Sequence, residues 1–199
     1  MLKRIALVIA ALTLLAVMVG CSKAPEAEMQ NANAAMEAAR LAEAETYAPE
    51  FFRAAQDTLN AASAAVQEQN SKFALFRSYG KAKEGFVAAE QMFNNTVTEA
   101  AAGKERVRVE VEQMLVVVKA VVDSTNMALA KAPRGKGSKA DIELIKTDLT
   151  AVQAQLAEAE ADFTGGRFMV AKSKLEAVAQ RAHAIMDEIA VASGKKVGM

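Results

Sequence analysis

The sequence predicts an all-α fold: an elongated antiparallel helical bundle of coiled-coil hairpins, arranged as two three-helix bundles sharing a long central helix. Three observations predict it. Apolar residues recur at steps of three and four over long stretches, only three prolines interrupt 199 residues, and alanine dominates an apolar fraction that contains no tryptophan. That spacing lays the apolar side chains along one stripe of a helix, which must then be covered by another helix.

The prolines and glycines divide the chain. Pro25 and Pro49 each precede a glutamate and a helical apolar pattern, the favoured first-turn arrangement. Helices are therefore expected over 25–46 and 49–70. A third, over 73–131, ends before the basic break Pro133-Arg134-Gly135-Lys136-Gly137-Ser138. Ser138 with Asp141 three residues on reads as a helix N-cap pair and opens a fourth helix, 139–163. Gly165-Gly166 separates that helix from a fifth, 167–193.

The last two helices carry the most regular seams. Ile142, Ile145, Leu149, Val152, Leu156, Ala159 and Phe163 alternate steps of three and four, and so do Phe168, Ala171, Leu175, Val178, Ala182, Ile185 and Ile189. Two such seams joined by Gly-Gly predict an antiparallel hairpin. Phe52, Ala55, Leu59, Ala62, Val66, Gln69 and Phe73 lie 90 residues before the first set, position for position. Tyr79, Ala82, Phe86, Ala89, Phe93, Thr96 and Ala100 lie 89 residues before the second. The hairpin is read as an internal repeat, with the one-residue difference falling in the loop. Met29, Ala32, Met36 and Ala39 on the first helix are expected to complete a bundle around the first hairpin. Val107, Val111, Met114, Leu115, Val117, Val118, Val121 and Val122 are apolar on more than one face, and the second hairpin is expected to cover them. The domains expected are 1–20, a cleaved signal; 21–104, the first bundle with hairpin repeat one; and 105–199, the second bundle with hairpin repeat two.

The N-terminus is a separate object. Lys3 and Arg4 precede an apolar run from Ile5 to Val19, broken only by Thr13. Its length is short of the roughly 20 residues that span a bilayer and suits a signal peptide. The run ends at Met18-Val19-Gly20-Cys21, which resembles the bacterial lipobox, with Met18 departing from the usual leucine. The resemblance implies cleavage between Gly20 and Cys21, and a diacylglycerol and an N-acyl chain on Cys21. Two or three acyl chains hold a protein firmly to a membrane where one binds marginally. Ser22 stands where an aspartate would resemble an inner-membrane retention signal, so the resemblance implies an outer-membrane, periplasm-facing lipoprotein in an envelope with two membranes.

Site chemistry is sparse. Cys21 and His183 are the only cysteine and histidine, which excludes an internal disulfide and a Cys/His metal site. Discounting Lys3 and Arg4 leaves 22 basic residues against 24 acidic ones, a charge of −2 that gives no footprint for nucleic acid. Glu158/Glu160 and Asp187/Glu188 read as solvated helix faces. A lone histidine cannot supply the paired Glu-x-x-His motifs of a di-metal bundle. Gly135-Lys136-Gly137-Ser138 lacks the spacing and preceding strand of a phosphate loop. Lys131, Arg134, Lys136 and Lys139 form the one notable charged cluster, a candidate for contacting an anionic partner. No catalytic residue, metal or cofactor is expected beyond the acyl groups on Cys21.

The mature chain resembles the alanine-rich helical lipoproteins grouped as domain of unknown function 4398. The carrying features are Cys21, the Ala/Glu-rich first helix, Tyr47-Ala48-Pro49-Glu50 opening a helix, and the hairpin with Tyr79-x-x-Ala82. The resemblance covers roughly 21–100 and implies an envelope location with helical interaction surfaces. The function expected is a membrane-anchored, non-catalytic scaffold binding envelope proteins or cell-wall polymer. The alternative is a periplasmic carrier holding a lipid or other apolar ligand inside the bundle around Met114 to Val122. Exposed heptads would also allow pairing between copies of the chain.

Overall fold

The computed structural model describes residues 23–132 and 139–193, with the side chains of Lys139 and Ala140 left undescribed. Gly20, Cys21, Arg134 and Lys136 lie outside the described residues. The elements are α1 (Glu26–Leu41), α2 (Ala44–Tyr47), α3 (Pro49–Asn70), a 3-10 turn (Ala74–Phe76), α4 (Gly80–Ala130), α5 (Lys139–Thr164) and α6 (Phe168–Ala192). The fold is all-α, and no strand occurs among the described residues. The chain divides into two compact units between Gly103 and Lys104, and α4 runs unbroken through that position.

In the first unit α3 and the early part of α4 are antiparallel. Thr58 donates to Met92 Sδ at 3.4 Å, the Phe52 and Phe93 rings meet edge to face at 5.5 Å, and the Tyr79 hydroxyl donates to Asn70 Oδ1. α1 runs parallel to α4, because Lys83 pairs with Glu28 at 2.9 Å near the start of both helices. At the far end, Gly103 sits against the backbone of Tyr47. The result is an up-down-up three-helix bundle. Its core takes Ala32, Ala35 and Ala39 from α1, Phe52, Ala55, Leu59 and Ala62 from α3, and Ala82, Phe86, Ala89 and Phe93 from α4.

The second unit repeats that order. α5 runs antiparallel to its neighbours: Lys119 reaches Glu160 at 2.8 Å, Lys174 reaches Glu158 at 2.9 Å, and Arg181 reaches Asp148 at 3.5 Å. α6 runs parallel to α4, with Lys172 on Glu110 at 2.7 Å and the Thr125 hydroxyl donating to the Ala182 carbonyl at 3.4 Å. The expected seam positions Ile142, Ile145, Leu149, Val152, Leu156 and Ala159 are buried, as are Ala171, Leu175, Val178, Ala182, Ile185 and Ile189. Val111, Val118 and Val122 of α4 join the same cluster.

Three expectations are corrected. The first helix does not run to 46. It stops at Leu41, and Glu43 takes a left-handed φ of 58° before α2 begins. Glu43 still accepts the amides of Thr46 and Tyr47, so the break reorients the chain without orphaning its backbone. The third helix starts at Gly80 and not at 73. Arg77 donates to the carbonyls of Asn70 and Lys72, both at 3.0 Å, and Gln69 Oε1 accepts the Ser78 amide at 3.0 Å, so side chains end α3 and shape the link. Phe73 is consequently 70% exposed and no counterpart of half-buried Phe163. Finally, the second hairpin covers only part of the valine-rich stretch: Val117, expected to be covered, is 62% exposed, and its neighbour Val116 is 69% exposed.

The α5–α6 turn follows its sequence. Gly166 has a φ of 76°, its amide donates to Phe163, and the Arg167 amide donates to Asp162, which together close the end of α5 as a Schellman motif.

Two predictions follow from the packing. Leu149→Ala, at a position 2% exposed, should cost about 2–5 kcal/mol; a chemical-denaturation midpoint unchanged from wild type would show that this seam is not core. Glycine-to-alanine changes in α4 should split by position. A Cβ on Gly103 would overlap the Tyr47 carbonyl, whereas one on Gly80 meets nothing within 4 Å. Gly103→Ala should destabilise by about 1–3 kcal/mol despite its gain in helix propensity. Gly80→Ala should be neutral or stabilising by up to about 1 kcal/mol. Equal shifts for both would refute the close approach.

Candidate functional site

Several titratable side chains in the second unit pair with each other between helices. Asp162, the one charged residue buried among those described, sits at the end of α5 with 3% exposure. Its Oδ1 accepts from Arg167 Nε at 2.8 Å and from Arg167 Nη2, while Oδ2 faces Lys174 Nζ at 2.9 Å. Lys174 and then Arg167 hold its carboxyl below the usual carboxylate range against the opposing effect of burial. Glu158, expected on a solvated face, shares Lys174, and Glu160 holds Lys119. These carboxylates link helices. Such exposed pairs add little stability, but their spacing matches the helix register. Among the described residues no group of three or more His, Cys, Asp or Glu is placed to hold a metal ion. His183 is exposed on α6.

Of the predicted anionic-partner cluster, Lys131 is exposed just beyond α4, where its amide donates to Met127 and Ala128. Lys139 opens α5. Arg134 and Lys136 of this cluster lie outside the described residues.

Apolar ligand space can be compared with the carrier reading. In the second unit one open groove of about 540 Å³ runs past Met127, Lys131, Met186 and Ser193, and another of about 420 Å³ past Leu144, Asp187 and Val191. In the first unit a groove of about 340 Å³ passes Phe51, Met92 and Glu99. None of these three draws on residues Met114 to Val122, whose buried members fill the seam instead. α4 is apolar and long enough to cross a membrane by length and composition. In the second unit that stretch supplies Val111, Val118 and Val122 to the core, and it carries the Lys119–Glu160 pair.

The feature that the sequence reading missed lies at one end of the first unit. Phe73, Leu75 and Phe76 are 70%, 65% and 76% exposed on the link between α3 and α4. Heptad counting extends a helix over them. The available signal was charge: from Gln69 to Lys83 there are four cations and no acidic residue. The Glu28–Lys83 pair puts the start of α1 at this same end.

No family model matches the chain, and neither does any curated protein or solved structure. The likeness to the domain of unknown function 4398 therefore rests on the sequence features alone.

The Asp162 cluster makes a pH prediction. A carboxyl held below its unfolded value contributes stability above the ordinary carboxylate range and loses it as pH falls through the folded value. Asp162→Asn should melt below wild type at neutral pH, and the gap should close as pH is lowered below the ordinary carboxylate range. A gap independent of pH would mean that the charge on Asp162 does not hold this turn.

Proposed function

We propose that the chain is a lipid-anchored, non-catalytic helical scaffold of the bacterial cell envelope, carried on the periplasmic face of the outer membrane. The observation that carries this reading is the sole cysteine at the end of a basic-then-apolar N-terminal run, in the setting Val19-Gly20-Cys21. Its only covalent additions are the acyl chains on Cys21. The second unit agrees with a scaffold in two respects: its heptad seams are filled with side chains, and its carboxylates Glu160 and Asp162 pair with lysines of neighbouring helices. The partners in this reading are envelope proteins or cell-wall polymer, and nucleic acid is not among them.

The carrier reading needs an enclosed apolar space. The grooves along the helices are open, and the Met114–Val122 stretch buries its seam valines against α5 and α6. That favours the scaffold.

Metabolic labelling with an alkyne palmitate analogue tests the anchor. Wild type should take up the label and fractionate with the outer membrane, and Cys21→Ser should remain unlabelled and leave that fraction. A Cys21→Ser protein that still labels or still co-fractionates would remove the lipid assignment. Cross-linking in intact cells should then recover the same envelope protein or cell-wall fragment from wild type in repeated experiments; recovery of neither would sink the scaffold role.

A further inference from the structure

The link between α3 and α4 exposes three large apolar side chains that nothing in the first unit covers. Phe73 and Phe76 stand with ring centroids 6.4 Å apart, and Leu75 lies between them in sequence. The link is nevertheless held in shape. Phe76 donates its amide to the Phe73 carbonyl at 2.9 Å and Arg77 donates to Ala74 at 3.4 Å, while the Arg77 side chain caps the carbonyls of Asn70 and Lys72. These bonds give the link a fixed shape while its apolar side chains face outward.

Charge and position identify the occupant. Lys72, Arg77, Lys81 and Lys83 flank the apolar tip in sequence, and no acidic residue occurs between Gln69 and Lys83. Glu68 and Glu28, the nearest acids in contact, are bound to Lys72 and Lys83 at 2.9 Å each. An apolar tip flanked by an excess of cations is complementary to an anionic bilayer surface, whose acyl boundary accepts aromatic rings and whose headgroups accept cations. The Glu28–Lys83 pair then fixes where such a surface would lie. It holds the first turn of α1 beside the first turn of α4, and Cys21 precedes Glu26 by only five residues. The described chain therefore starts, at Lys23, at the end that carries the aromatic tip, and the cysteine read as the lipid attachment site is two residues earlier in sequence.

We propose that Phe73, Leu75 and Phe76 form a second membrane contact, inserting into an anionic lipid surface beside the acyl tether and fixing how the first unit meets the bilayer. The proposal rests on the lipid-anchor reading for the chain's approach to the membrane.

The absence of tryptophan makes a direct test available. Phe76→Trp places a single indole on the tip at an exposed position, and Leu41→Trp places one at the opposite end of α1, where Leu41 is 87% exposed. The full chain, purified from membranes, is reconstituted into vesicles of phosphatidylcholine with or without phosphatidylglycerol, with brominated lipid as quencher. The expected result is a blue-shifted indole at position 76 that loses most of its emission to brominated lipid, and an indole at 41 that is neither shifted nor quenched. The shift at 76 should weaken without phosphatidylglycerol and in the Lys72→Gln/Lys81→Gln background. Equal quenching at both positions, or none at 76 on vesicle-bound protein, overturns the proposal. An indole at 76 that shifts with protein concentration in the absence of lipid would also overturn it, by placing a second copy on the tip. The mass of the N-terminal peptide reads the anchor separately: acyl chains without quenching at 76 leave the tether and refute the tip, and quenching without acyl chains does the reverse. A chain that stays in the aqueous phase refutes both.

Discussion

The close approach of helix axes through small residues is the constraint on which both bundles depend. Alanines at 55, 62, 82 and 89 are buried between Phe52, Leu59, Phe86 and Phe93 in the first unit, and Ala171 and Ala182 play the same part among Leu175, Val178 and Ile185 in the second. Small side chains allow the axes to near the lower end of the usual 8–10 Å separation, and large ones on the facing helix fill the layers between. Gly85 shows how tight the fit is, since a Cβ there would lie 2.8 Å from Ala62 Cβ. Gly103 shows it again against the Tyr47 backbone. A glycine inside a helix costs about 1 kcal/mol of propensity, so both positions trade local helix stability for contact.

The buried stripe of α4 changes register where one unit gives way to the next. Tyr79, Ala82, Phe86, Ala89, Phe93, Thr96, Ala100 and Gly103 step by three and four, and all are buried. The next inward positions are Val107 and Val111, each four residues on, after which Met114, Val118, Val121 and Thr125 resume the alternation. Two successive steps of four are a stutter, which locally unwinds the supercoil that a strict heptad imposes. It falls at the Gly103–Lys104 division. Two buried threonines sit on this helix, one per unit, and each returns its hydroxyl to the carbonyl four residues back: Thr96 to Met92 and Thr125 to Val121, both at 2.8 Å. That bond lets a polar residue occupy a core layer without an orphaned group.

Heptad arithmetic read the seams well because, where a partner helix lies opposite, periodicity decides which side chains of a helix are buried. Leu59, Leu149, Leu175 and Ile185 are buried where their spacing put them. It failed where side chains, and not periodicity, decide the backbone. Glu43 adopts a left-handed φ with no glycine to announce it, and Arg77 reaches back to cap α3 from seven residues away. Phe73 continued the apolar count and so read as helix, yet the count carries no information on whether a partner stripe exists opposite it. Asp162 went unrecognised as a buried charge because its partners, Arg167 and Lys174, lie across a turn that only the folded hairpin closes. Of the candidate site, the proposed anchor rests on the N-terminal sequence pattern alone, whereas the aromatic tip shows in the sequence only as a run of cations without acids.

A tethered scaffold faces a problem that the tether alone does not solve. Acyl chains on a terminal residue confine a protein to the surface but leave its domain free to tilt and rotate about the attachment point. A second contact near the tether addresses orientation at little energetic demand, because the first has already removed the translational cost of reaching the membrane. Three apolar side chains and a few cations would bind too weakly to recruit a free domain to a bilayer, yet the effective concentration imposed by a nearby anchor makes weak contacts sufficient. The same logic explains why such a tip can be small, and why it belongs on a link braced by Arg77 and the Gln69–Ser78 bond: a mobile loop would lose in ordering entropy what its few contacts contribute. In this reading the helical seams supply rigidity, and the residues that connect the protein to its surroundings sit where the seams end.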